Sequence, residues 1–262
     1  SVQAGEDIVI RAEAGGDASV SIVTVVAEGA VDPQLTSLVA GDDVKVLVAA
    51  KGDAATTVAN ATVTAADDIK VDVDAWGDAT VTAVSSTLTA EDGEATITGE
   101  ARNVAITLGD SAVEAQRDVA VVADAWKSAT IEVVESTVTS VWDDVTVGAF
   151  SKKGDAAVTI TESSVKAEDA LDLLAITRGR WGDATIAVVD SQLTAVDEDV
   201  HIVGKAKDDV SITILTSEES EQATTVQAGR DIVIRAEAGG DADVVVTTVL
   251  SEGAVDPQLT SL

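Results

Sequence analysis

Val63-Thr64-Ala65, Leu88-Thr89-Ala90, Val113-Glu114-Ala115 and Val138-Thr139-Ser140 are one phrase written four times, each copy opening 25 residues after the one before. A period of that size marks a solenoid, in which each repeat is one coil that can bury its apolar residues only against the coils above and below. Extending the register both ways gives nine coils, opening at Val2, Leu38, Val63, Leu88, Val113, Val138, Val165, Leu193 and Val226. Their spacings are 36, 25, 25, 25, 25, 27, 28 and 33 residues, so the extra length falls in a few loops around a regular body. Nothing is left for a second domain, and function is to be sought on the outside of a rod.

Within a coil, Ile8-Val9-Ile10-Arg11-Ala12-Glu13-Ala14 alternates apolar and polar residues with period two, the signature of a strand with one buried face. Ile8 aligns with Val44, Ile69, Ala95, Val119, Val145, Leu171, Val200 and Ile232. Two positions beyond Ile10 the inward column shrinks to residues such as Ala12, Gly99, Ala123 and Gly204, so the interior narrows toward a corner. Past that corner a second strand alternates likewise, as in Ala129-Thr130-Ile131-Glu132-Val133, and a third, shorter strand carries the opening phrase. Three strands per coil, stacked like on like, predict an all-β chain folded as a parallel β-helix of about nine coils, with right-handed crossovers by the usual bias. Coil four tests the register: Gly93 adds a residue before its first strand, and the following corner at Arg102-Asn103 is one short. Both changes fall in turns, where they leave the inward face unchanged.

Composition fits a narrow interior. Of 262 residues 46% are hydrophobic but only 2% aromatic, so the core is built of Val, Ile, Leu and Ala, with no Cys for disulfides or thiolate sites. The formal charge of −31 argues against nucleic acid or anionic lipid as a partner, and no apolar run is long enough for membrane insertion. With strands about 4.8 Å apart, nine coils rise roughly 43 Å and carry one net charge per ~1.4 Å, denser than the ~1.7 Å of double-stranded DNA.

An acidic residue precedes the first strand in eight coils: Asp7, Asp43, Asp68, Glu94, Asp118, Asp144, Asp199 and Asp231, with Ala170 the exception. A polar residue stands at the next corner in all nine: Asp17, Asp53, Asp78, Asn103, Ser128, Asp155, Asp183, Asp209 and Asp241, often within Gly-Asp-Ala. One reading is turn chemistry, the side chains bonding their own downstream amides. The other is a ladder of Ca2+ sites along Asp7, Asp43, Asp68, Asp118, Asp144, Asp199 and Asp231, because stacked carboxylates repel unless a cation lies between them. No cofactor is required on either reading, and Ca2+ or other cations are the expected counterions.

Two positions before the corner polar residue, or one in shortened coil four, a further column reads Lys51, Trp76, Arg102, Trp126, Lys153, Trp181 and Lys207, cations alternating with indoles. At ~4.8 Å spacing each Trp is expected between two cations, within cation–π range. The column is either an external staple or an exposed stripe for glycans or partner proteins. Trp142 lies in another turn. His201, the one histidine, falls outward between Val200 and Ile202, and the longest insertions are residues 27–37, with Pro33, and Ser217-Glu218-Glu219-Ser220-Glu221. No convergent acid–base site emerges, and the chain is read as non-catalytic.

A longer repeat overlies the first. Residues 1–38 recur as 225–262 with 30 of 38 positions identical, including Gly29-Ala30-Val31-Asp32-Pro33-Gln34-Leu35 against Gly253-Ala254-Val255-Asp256-Pro257-Gln258-Leu259. Residues 1–224 then form one eight-coil unit and 225–262 the start of the next copy, as in a window cut from a longer tandem array. The phrases Ala4-Gly5-Glu6-Asp7-Ile8-Val9-Ile10-Arg11-Ala12 and Ala228-Gly229-Arg230-Asp231-Ile232-Val233-Ile234-Arg235-Ala236 resemble the repeats of filamentous-haemagglutinin-type exoproteins and other giant bacterial β-strand-repeat surface proteins. That resemblance implies a secreted, cell-surface protein with a filamentous or adhesive role and with itself as chief partner. The chain is more acidic than such proteins generally are, and its Trp/cation column has no counterpart in them.

Overall fold

The computed structural model describes residues 2–23, 36–217 and 223–247. The Gly29 and Gly253 phrases, residues 27–35 with Pro33, and residues 218–221 lie outside them. The described residues form strands from Val2–Ala4 to Ala242–Thr247 and contain no helix, hence none long and apolar enough to cross a membrane.

The third strands pair in parallel, coil after coil, as a 9-stranded sheet running from Val2–Ala4 to Thr225–Gln227. First strands, from Ile8–Ala14 to Ile232–Glu237, and second strands, from Ala18–Val23 to Ala242–Thr247, make two further stacks within one 16-stranded sheet. They merge because Ala95–Gly109 and Val119–Val134 run through the corner between them without a break. The molecule is thus a parallel β-solenoid. Its stack is nine rungs deep, but only coils two to eight have a rung on both sides, so the enclosed solenoid is about seven turns where the sequence counts nine coils.

The register follows the apolar columns. Ile8 pairs with Val44, Val44 with Ile69, and the line continues through Ala95, Val119, Val145, Leu171 and Val200 to Ile232. The opening residues Val2, Leu38, Val63, Leu88, Val113, Val138, Val165, Leu193 and Val226 stack in the same way. In coil four the pairing slips between Ala101 and Asn103, at the short corner, and recovers at once.

Burial grades along the rod. Val145, Leu171 and Val200 are fully buried in its middle, whereas Ile232 and Ile234 of coil nine are only half-buried because, among the described residues, no further coil stacks on them. Each fully buried Val, Leu or Ile contributes roughly 1.5–3 kcal/mol, so an inner coil is held far more firmly than an end coil. Among the described residues nothing pairs with the outer edge of coil one or coil nine.

Candidate functional site

The first-corner acids reach along the axis. The amide of Asp43 donates to Asp7 Oδ1 at 3.3 Å, that of Asp68 to Asp43 Oδ1 at 3.1 Å and that of Glu94 to Asp68 Oδ1 at 2.9 Å. The same link joins Asp144 to Asp118 at 3.1 Å, Ala170 to Asp144 at 2.8 Å and Asp231 to Asp199 at 3.0 Å. Each of these six aspartates therefore serves the amide of the next coil, where turn chemistry would have it serve its own, whereas, among the described residues, the longer Glu94 only receives. The cause is geometric: at a corner the chain leaves the strand ladder, its amide lacks a backbone acceptor, and the carboxylate one coil away supplies one. Ala170 fits as a receiver that passes nothing on.

Lys45 adds an ion pair with Asp43. Its hydrogen bond, followed by that from the Asp68 amide, holds the Asp43 carboxyl below the ordinary range against the opposing effect of burial, and the same contact raises Lys45.

The second corner repeats the device. Amides of Asp53, Asp78, Asp183, Asp209 and Asp241 donate to Oδ1 of Asp17, Asp53, Asp155, Asp183 and Asp209 at 3.0, 2.8, 3.1, 3.1 and 2.8 Å. At Asn103 the side-chain amide donates instead, to Asp78 Oδ1 at 2.6 Å. This explains the Gly of Gly-Asp-Ala: a methyl group at Gly77 would stand 2.1 Å from Asp53 Oδ1 and 2.8 Å from the Gly52 carbonyl. At Gly52, Gly77 and Gly240 the preceding coil's carboxylate occupies the space that a side chain would need, and at Gly154 and Gly182 a backbone carbonyl of the preceding coil does so.

A third ladder escaped the sequence reading. Ser86, Ser111, Ser136, Ser163 and Ser191 are buried at the third corner. Amides of Ser86, Ser111, Ser136 and Ser163 donate to the hydroxyl of the next serine at 3.0 to 3.2 Å. Each hydroxyl in turn donates to the carbonyl two residues back, as Ser136 Oγ does to Val134 O at 2.7 Å. Thr224 closes the series as acceptor for the Ser191 amide at 3.3 Å. The signal was present, since each of these residues stands two places before its coil's opening Val or Leu. The residue before each serine holds a left-handed φ, from 47° at Ser85 to 50° at Asp190, without being glycine.

All seven stripe residues, Lys51, Trp76, Arg102, Trp126, Lys153, Trp181 and Lys207, are exposed, with Trp76 at 77% and Trp181 at 76%. Among the described residues one cation–ring contact forms: Lys153 Nζ lies 4.6 Å from the Trp126 ring centre. The alternation does not continue at strand spacing because corners lengthen. Lys152 and Arg178, one place after the first strand, take the backbone bonds to Ala125 and Ser151, so Lys153 and Trp181 ride on inserted residues. Trp76 lines two shallow depressions, one with Glu13, Lys51 and Asp74, the other with Glu100, Arg102 and Trp126. Trp142 is exposed on its separate turn.

His201 is half-exposed, with Nδ1 2.9 Å from Asp172 Oδ1 and Nε2 3.7 Å from Asp199 Oδ2. Among the described residues the one group of three carboxylates with ligand oxygens within 4.8 Å of one another is Asp183, Asp208 and Asp209. It lies at the second corner, away from the first-corner column read as a Ca2+ ladder. Compared with known protein families, curated proteins and solved structures, the chain matches none.

Proposed function

We propose that this chain is a structural, non-catalytic segment of an extracellular filament or giant tandem-repeat surface protein, a rod whose work is to extend and bear load. The observation that carries the reading is the use made of its polar side chains. The recurring polar residues of all three corners bond coil to coil along the axis. Side chains invested in axial connection serve length, whereas a catalytic solenoid gathers them into one groove. The resemblance of the Ala4 and Ala228 phrases to filamentous-haemagglutinin-type repeats supports placing the rod at a cell surface. Mobile cations, Ca2+ among them, screen the −31 charge; no cofactor is needed. Electron microscopy of the native particle tests the reading: long filaments with an axial spacing near ~4.8 Å support it, and short compact particles overturn it.

One observation favours a second reading, an adhesin that grips glycans. Trp76 and Trp181 are about three-quarters exposed, and Trp76 stands among acids and cations able to bond sugar hydroxyls. Glycan binding lost in Trp76→Ala with Trp126→Ala, the filament unchanged, would establish it; unchanged binding would dismiss it.

A further inference from the structure

Coils one and nine are interchangeable parts. Coil nine sits on coil eight through pairs such as Val200 with Ile232, Ile202 with Ile234 and Ile212 with Val244. The Asp231 and Asp241 amides donate to Asp199 and Asp209 at 3.0 and 2.8 Å, and Lys205 pairs with Glu237 at 2.6 Å. Coil one carries the same groups, since residues 7–18 repeat residues 231–242 without a change. It therefore offers coil eight of another copy the same apolar row, the same amides and the same glutamate, Glu13.

The opposite side matches as well. Coil one holds coil two through Ile8 with Val44 and Ile10 with Val46, and through the amides of Asp43 and Asp53 on Asp7 and Asp17. Coil nine carries Ile232, Ile234, Asp231 and Asp241 at those places, and nothing among the described residues covers them.

We propose that two copies join by coil replacement: the place between coil eight of one copy and coil two of the next is filled by a single coil, either the first copy's coil nine or the second copy's coil one, and the redundant coil is displaced. The joint rests on the filament reading above and gives it a non-covalent partner, a second copy of this chain. It is heterologous and does not close, so it extends into a polymer with an eight-coil period. A chain's own coil nine competes with the advantage of tethering. It holds one further advantage, because Arg230 pairs with Glu198 at 3.2 Å where coil one carries Glu6. Of the differences between the two coils, which include residues 19 and 21–23 of the second strand, Glu6 for Arg230 is the one that removes an ion pair to coil eight, and Glu6→Arg should favour exchange.

The chain has no cysteine, so the joint can be trapped cleanly. Val203 pairs with Arg235, the counterpart of Arg11. Stacked strands bring such positions within disulfide reach. A 262-residue Val203→Cys chain mixed with an Arg11→Cys chain under mild oxidation is expected to give mixed disulfide dimers in excess over symmetric ones. The yield should rise with concentration and with Glu6→Arg added to the Arg11→Cys chain. A Val203→Cys/Arg235→Cys chain closes its own bridge, locks coil nine in place and is expected to abolish the joining. No mixed dimer at high concentration, with that internal bridge closing normally, overturns coil replacement and leaves a covalently continuous rod standing. An internal bridge that fails to close overturns the coil-on-coil register, and the filament reading with it.

Discussion

At the scale of single residues the carboxylates act as backbone acceptors that happen to be charged. Asp68→Ala removes the acceptor for the Glu94 amide and is expected to cost about 1 kcal/mol in chemical denaturation. Asp68→Asn keeps an acceptor and sheds a charge, so it should restore most of that loss. If Asn proves as damaging as Ala, the charge itself matters and a cation ladder regains its case. Thr56 is the converse. It sits fully buried in an otherwise apolar inward column, with no partner for its hydroxyl among the described residues, so Thr56→Val should stabilise the rod by about 1 kcal/mol. The acid columns were legible because Asp7, Asp43 and Asp68 recur at fixed places, but their partners were not: a carboxylate's reach depends on the offset between coils, which no single repeat displays. The serine column was legible in principle and hidden in practice, because Ser precedes the phrase in some coils and Ala61 or Thr224 in others.

Strands and corners obey different rules. On the strands, volume is conserved between neighbouring columns. The second strand opens with Ala in most coils but with Val104 and Val210 in two, and in those two the facing first-strand residue is Gly99 or Gly204. A methyl group on either glycine would stand 2.6 Å from the valine Cγ1. Gly99→Ala is therefore expected to cost about 1–3 kcal/mol by overpacking, and Val104→Ala in the same chain to recover much of it. Strictly additive losses in that double-mutant cycle would contradict the compensation. The strand register could be read in full because a one-residue slip would turn every apolar side chain outward. Corners carry no such penalty. Their lengths drift between Trp126, Lys153 and Trp181, and the alternating stripe expected from counting residues yields one cation–ring contact.

For the whole molecule, length works against charge. With −31 on so short a rod, self-repulsion opposes the stack, and salt should relieve it. Raising ionic strength from ~0.01 M to ~0.15 M shortens the screening length from about 30 to about 8 Å and is expected to raise the melting temperature by several degrees. A melting temperature indifferent to salt would show that the charge is already neutralised by bound ions. The central claim, that equivalent residues of successive coils lie in straight axial columns, is open to a direct ruler. Lys45, Thr96, Thr146 and His201 belong to one outward column at intervals of two coils. Spin labels placed pairwise at Lys45 and each of the others should give distances by electron–electron double resonance that rise linearly, by about 4.8 Å per coil, to roughly 29 Å at His201. Distances that fail to grow with coil number would contradict the stack.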